Sequence, residues 1–151
     1  MATLNWGKMK LETKPSEGGE PKETEAWKKI DTPKNGTTKI ETTEGNVTEA
    51  LEEGGGVVDS RTEQSKYKLE FDLFVKKDTD PPFADVDGVI QGEHAFRLIP
   101  EDPTAKGYLV DRAQVSVTES FTSAEGGLLH YVVKVLKPKT GEYLKTQVIS
   151  V

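Results

Sequence analysis

The sequence predicts a mainly β protein, a barrel or sandwich with one short flanking α-helix and an extended N-terminal arm. Three observations predict it. Thr, Val and Ile total 35 against 19 Ala and Leu, and β-branched side chains suit a pleated surface. Fourteen Gly and eight Pro punctuate the chain throughout, which leaves long helices little room. Apolar and polar residues alternate over 66–76, and strand-like pieces recur between turn residues at about 8–12-residue spacing, the pattern of sandwiches and barrels.

Composition sets the outer bounds. The chain has 151 residues, of which 34% are hydrophobic and 30% charged. That is lean for a globular chain, so part of it is expected to lie outside a core. The organisation predicted is a polar arm over 1–26 and one β domain over 27–151. There is no Cys, which excludes a disulfide framework and a thiolate zinc site. The charge of −6, from 20 basic and 26 acidic residues, argues against a protein that grips nucleic acid. No apolar run approaches the ~18 residues of a membrane span. The opening Met1–Lys8 lacks an apolar h-region, so a cytoplasm-like compartment is expected.

The elements follow in order. The stretch 12–25 (ETKPSEGGEPKETE) has no large apolar residue and reads as an extended arm that orders by lying on a neighbour. Trp27–Asp31 and Thr37–Thr42 flank Pro33-Lys34-Asn35-Gly36, a hairpin signal because Asn and Gly tolerate positive φ. Asn46–Glu52 and Val57–Arg61 flank three glycines and form a second candidate hairpin. Lys66–Lys76 is the clearest strand: Tyr67, Leu69, Phe71, Leu73 and Val75 share one face, and Lys66, Lys68, Glu70, Asp72 and Lys76 the other. In Asp78–Ile90, Asp80 caps and Pro81-Pro82 starts a helical turn or two over about 82–89. Glu93–Ile99 is a strand, and Pro100–Pro103 a turn. Tyr108–Phe121 is a long strand with Ala113, Val115, Val117 and Phe121 on its dry side. Leu128–Leu136 is apolar on both faces and reads as a central, doubly buried strand. Tyr143–Val151 closes the fold.

Little in the sequence points to catalysis. His94 and His130 lie within predicted strands and read as satisfied strand histidines. There is no Gly-x-Ser-x-Gly elbow, and Gly54-Gly55-Gly56 lacks the Lys-Ser/Thr ending of a phosphate loop. Asp78, Asp80, Asp85 and Asp87 are spaced wrongly for a twelve-residue calcium loop and read as capping and solvated residues. Basic residues are scattered among acids without interleaved aromatics. No cofactor or metal is expected.

The order of elements carries a resemblance. The phrases that carry it are Val57-Val58-Asp59-Ser60-Arg61, Lys68-Leu69-Glu70-Phe71-Asp72-Leu73-Phe74-Val75, Asp85-Val86-Asp87-Gly88-Val89-Ile90 and Ile99-Pro100-Glu101-Asp102-Pro103. Thr118-Glu119-Ser120-Phe121 and Leu136-Lys137-Pro138-Lys139-Thr140-Gly141 add to them. Over about 27–151 the chain resembles the tail-tube proteins of bacteriophages, which are similar to tube subunits of type VI secretion and other contractile injection systems. The resemblance implies a structural, non-enzymatic subunit in a virion tail. Six-membered rings would stack into a hollow conduit for DNA or effectors, with tape-measure, baseplate or terminator and sheath proteins as partners, no membrane, and DNA passing without tight binding. It makes Glu70 and Asp72 candidate lumen residues. It makes Glu12, Lys14, Glu20, Lys22, Trp27, Glu49, Glu52, Val57 and Val58 candidate contacts between subunits and rings. The competing readings are a β-sandwich binding or adhesion module for carbohydrate or protein, and a small enzyme using paired carboxylates.

Overall fold

The computed structural model describes residues 7–149. Positions 1–6 of the expected arm and 150–151 of the expected last strand lie outside the described residues. The chain forms strands β1 (Lys10–Glu17), β2 (Glu20–Pro21), β3 (Lys28–Lys29), β4 (Lys39–Thr43), β5 (Val47–Leu51), β6 (Val57–Thr62) and β7 (Lys66–Phe74). These are followed by β8 (Asp85–Val86), β9 (Val89–Ile90), β10 (His94–Ile99), β11 (Gly107–Thr122), β12 (Gly126–Val135) and β13 (Lys145–Gln147). The main sheet runs β2-β1-β10-β11-β12-β7-β4, with β13 and β9 on β11 and β3 on β1. It is curled into a half-barrel. β5 and β6 form a separate two-stranded sheet.

The inner face follows from period two. Leu69, Phe71 and Leu73 of β7 lie opposite Val133, Tyr131 and Leu129 of β12, and Val133 and Tyr131 lie opposite Val115 and Val117 of β11. Opposed residues share a face, so these rows build one core, joined by Phe96, Leu98 and Val110. Phe71 stacks on Tyr131 at 5.2 Å between ring centres. Phe83, from the loop before β8, closes the concave side against His94, Phe96 and Tyr131.

Several expectations are corrected. No helix forms over 82–89, and the described residues contain none. Asp85–Ile90 is instead a tight β8–β9 hairpin whose Asp87 and Gly88 take φ of 51° and 85°. Asp-Gly with positive φ at both positions is the turn that matches strand twist, and Asp85 Oδ2 accepts the Gly88 N–H at 3.0 Å. The polar N-terminal segment is extended, but 10–17 is a strand of the chain's own main sheet. Lys10–Pro15 pair in register with His94–Ile99, and Leu11 is buried in the core. Period two explains why: Leu11 and Thr13 alone need to face inward. Pro33–Gly36 does turn the chain, but β3 pairs with β1 and β4 with β7, so the segment crosses from one edge of the sheet to the other. Phe121 is 75% exposed, because the β11–β12 hairpin runs past the end of the core. β12 is central but buried on one face only, with His130, Val132 and Lys134 on the other.

Candidate functional site

The outer face of β4, β7 and β12 carries the densest polar cluster. Register places Lys39 beside Glu70, and Glu41 beside Lys68. Lys39 Nζ lies 3.0 Å from Glu41 and 3.1 Å from Glu70, and Lys68 Nζ lies 3.3 Å and 3.4 Å from the same two carboxylates. The four charges close a ring in which each group faces two of opposite sign. Hydrogen bonds from Lys39 and then Lys68 hold the Glu41 carboxyl below its ordinary value. Glu41 and Glu70 push both ammonium groups up. Glu70 is also held low, chiefly by Lys39 and against the opposing pull of burial. Glu70 is buried, but Lys39, Glu41 and Lys68 are 40–54% exposed, so these pairs remain screened by water.

The candidate lumen residues Glu70 and Asp72 are thus brought together on one face, joined by His130. Its Nδ1 lies 2.5 Å from Asp72 Oδ1 and its Nε2 3.5 Å from Glu70 Oε1. The row mixes both signs, and its two central lysines are each committed to two carboxylates. His94 is the satisfied strand histidine expected: it is half-buried, its Nε2 lies 3.2 Å from the Gln91 carbonyl, and burial lowers its pKa. Burial, and then Asp85, push the Tyr131 hydroxyl up to about 12, so this phenol stays protonated inside the core.

The N-terminal candidates form a second cluster, on the outer face of β1 and β10. Arg97 donates from Nε and Nη2 to Glu12 Oε2 at 3.1 and 2.7 Å. The Arg97 guanidinium and the Lys14 ammonium lie 4.7 and 4.8 Å from the Trp27 ring centre, within cation–π range. Glu20 pairs with Lys139 at 3.5 Å, and the Lys22 N–H donates to the Pro15 carbonyl at 2.9 Å. Each of these candidates thus has a partner within the chain, Glu12 in Arg97, Lys14 in Trp27, Glu20 in Lys139 and Lys22 in Pro15.

The remaining candidates stand apart. Glu49, Glu52, Val57 and Val58 belong to the β5–β6 hairpin and its turn, where every residue of both strands is exposed. Val47, Leu51, Val57 and Val58 are 49–66% exposed. The turn closes with the Glu52 N–H on the Gly56 carbonyl and the Gly55 N–H on the Glu52 carbonyl, both at 3.0 Å. At the root, a Cβ on Gly45 would lie 2.0 Å from the Glu63 carbonyl oxygen, so only glycine lets the two legs cross there.

An open cleft of about 700 Å³ lies between the two ends of the half-barrel. Met9, Ile40, Leu98 and Tyr108 line it with Lys8, Lys34 and Lys39, and no carboxylate does. Among the described residues, no three of His, Asp and Glu are placed to hold a metal ion. Sequence reasoning missed Lys39, Glu41, His130 and Arg97 as partners of the named acids. Alternation marked the wet face of β7, but only strand order could say which strands lie beside it. No protein-family model and no curated protein matches the chain.

Proposed function

We propose that the protein is a tail-tube-like structural subunit that assembles with copies of itself into stacked rings around a conduit, without catalysing a reaction. The observation that carries this reading is the β5–β6 hairpin. A lone two-stranded hairpin is marginal in water, and this one leaves Val47, Leu51, Val57 and Val58 uncovered on a projection with no core of its own. A second copy is the occupant the resemblance names. Two further features support it. Among the described residues β4 pairs only with β7, so its outer edge is open to a neighbour's strand, and edge pairing between copies removes an aggregation-prone edge. The outer face of β4 and β7 has Lys39 and Lys68 engaged by Glu41 and Glu70, which suits a wall past which phosphates must slide without counterion release.

On this reading Glu70 and Asp72 line the conduit, and Glu49, Glu52, Val57 and Val58 reach the next subunit. Glu12, Lys14 and Trp27, tied together with Arg97 within the chain, present a braced surface to the neighbouring subunit. The setting is a virion tail, with tape-measure, baseplate or terminator and sheath proteins at its ends and exterior. Negative-stain electron microscopy of concentrated protein tests the proposal. Rings or tubes about ten nanometres across, by size scaling of a domain of this length, are expected. A chain that stays monomeric at high concentration overturns it.

A further inference from the structure

We propose that Asn35 is a site of spontaneous deamidation, converting through a succinimide to isoaspartate and aspartate. The turn Lys34–Thr37 places Asn35 and Gly36 at its two central positions, closed by the Thr37 N–H on the Lys34 carbonyl at 3.2 Å. Gly36 has φ of 74° and is the only one of the two with positive φ, which is type II geometry. Both residues are exposed. Nothing lies within 4 Å of the position a Gly36 Cβ would take, so the peptide nitrogen is open on that side. No hydrogen bond holds the Asn35 side-chain amide or the Gly36 N–H among the described residues. Glycine also leaves the backbone free to rotate into the reactive geometry.

The chemistry needs only water. The Gly36 nitrogen, its proton lost to solvent base, attacks Asn35 Cγ. The new N–Cγ bond closes a five-membered imide as the Cγ–Nδ2 bond breaks, and ammonia leaves after Nδ2 takes up a proton. Water then opens the ring at either carbonyl. Attack at Cγ restores the normal backbone with aspartate at position 35, and attack at the main-chain carbonyl routes the backbone through the side chain as isoaspartate. The new carboxylate appears in the cleft lined by Lys8, Lys34 and Lys39, of which Lys34 is paired with Glu125 and Lys39 with Glu41 and Glu70. Asn46 is the internal contrast. It precedes the β-branched Val47, which begins a paired strand, and its own carbonyl is held by the Glu63 N–H at 2.9 Å.

The isoaspartate form has a structural consequence. The Lys34 carbonyl accepts from both Thr37 N–H and Thr37 Oγ1, and Thr37 Oγ1 accepts in turn from the Asp72 N–H at 3.2 Å. The Lys34 N–H donates to the Asp72 carbonyl at 2.8 Å. These bonds pin the turn to β7. An extra backbone carbon between Lys34 and Thr37 breaks that register, whereas aspartate at position 35 preserves it.

The test is ageing of the full chain in mildly alkaline buffer, followed by peptide mapping and an isoaspartate methyl-acceptor assay. The peptide carrying residue 35 is expected to gain one mass unit and split into two products, while the peptide carrying Asn46 keeps its mass. Asn35→Gln is expected to lose the gain entirely. Hydrogen exchange on the separated forms then reads the turn. Protection at Thr37 and Asp72 is lost in the isoaspartate form and retained in Asn35→Asp. An unchanged residue-35 peptide, or conversion at Asn46 at the same rate, overturns the site. Equal protection in all forms overturns the structural consequence.

Discussion

Strands β6 and β7 are separated by only Glu63, Gln64 and Ser65, yet they live in different solvents. Val57 and Val58 are 58% and 66% exposed, while Leu69, Phe71 and Leu73 are at most 3% exposed. Both strands are rich in β-formers, and both pair antiparallel with a neighbour. What differs is the second layer. Phe71 stacks on Tyr131, which Phe83 meets in turn, whereas among the described residues every residue of the β5–β6 ladder is exposed. Hydrogen-bonded pairing alone adds little net stability, because water satisfies the same groups in the open chain. Burial is what separates a strand that defines the fold from one that projects into water.

The largest effect on protomer stability is expected on the covered side of this comparison. Phe71→Ala empties a fully buried site and should cost about 3–5 kcal/mol in urea unfolding. A cost below ~1 kcal/mol would mean that the half-barrel is looser than its burial implies. Next comes the junction. Gly45→Ala drives a methyl group into the Glu63 carbonyl, and the legs must part at a cost of about 1–3 kcal/mol. Hydrogen exchange should show the disturbance confined to the hairpin and its root. Spread of the effect into β12 would show that the hairpin is not independent.

The charged ring on β4 and β7 comes third. Glu41 and Glu70 are held low in the fold, so the unfolded chain takes up their protons first as pH falls. The stability they contribute is complete above their unfolded value of 4.5 and is lost as pH drops through the folded values. Glu70→Gln should flatten this acid limb and lower stability near neutrality by about 0.5–1 kcal/mol, the scale of a solvent-screened pair. An acid limb unchanged in the variant would show that the four charges do not act together.

The same contrast explains what the sequence disclosed. Period two over Lys66–Lys76 exposed the core face of β7, since a strand with one dry side must alternate. The second hairpin was readable from its three glycines and flanking β-formers. The first strand was not. Leu11 directly precedes the polar run 12–25, and Thr13 is buried through its hydroxyl bond to the Ala95 carbonyl at 2.9 Å, a long-range contact that no local pattern carries. The helix expected from Pro81-Pro82 failed because Asp87-Gly88 specifies a two-residue hairpin turn more strongly than the prolines specify a helix start. On the site, Glu70 and Asp72 were legible as wet-face acids. Lys39 and His130 were not, because β4 and β12 reach β7 only through the strand order.

The smallest effect on the protomer, and the sharpest test of the comparison, is expected on the uncovered side. Leu51→Ser and Val58→Ser remove apolar surface that touches water already, so unfolding of the protomer should shift by no more than about 0.5 kcal/mol. If copies cover the hairpin, the same changes expose hydroxyls to burial in the assembled state and remove apolar contact at every repeat of the interface. Rings or tubes seen with the parent chain should then disappear. Hairpin amides that exchange freely in dilute parent protein should gain protection at assembling concentrations, and the double variant should show no such gain. Assembly that persists in Leu51→Ser/Val58→Ser, with the hairpin still unprotected, would mean that copies meet along the β4 edge alone. The exposed valines would then be ordinary surface residues of a solvated projection.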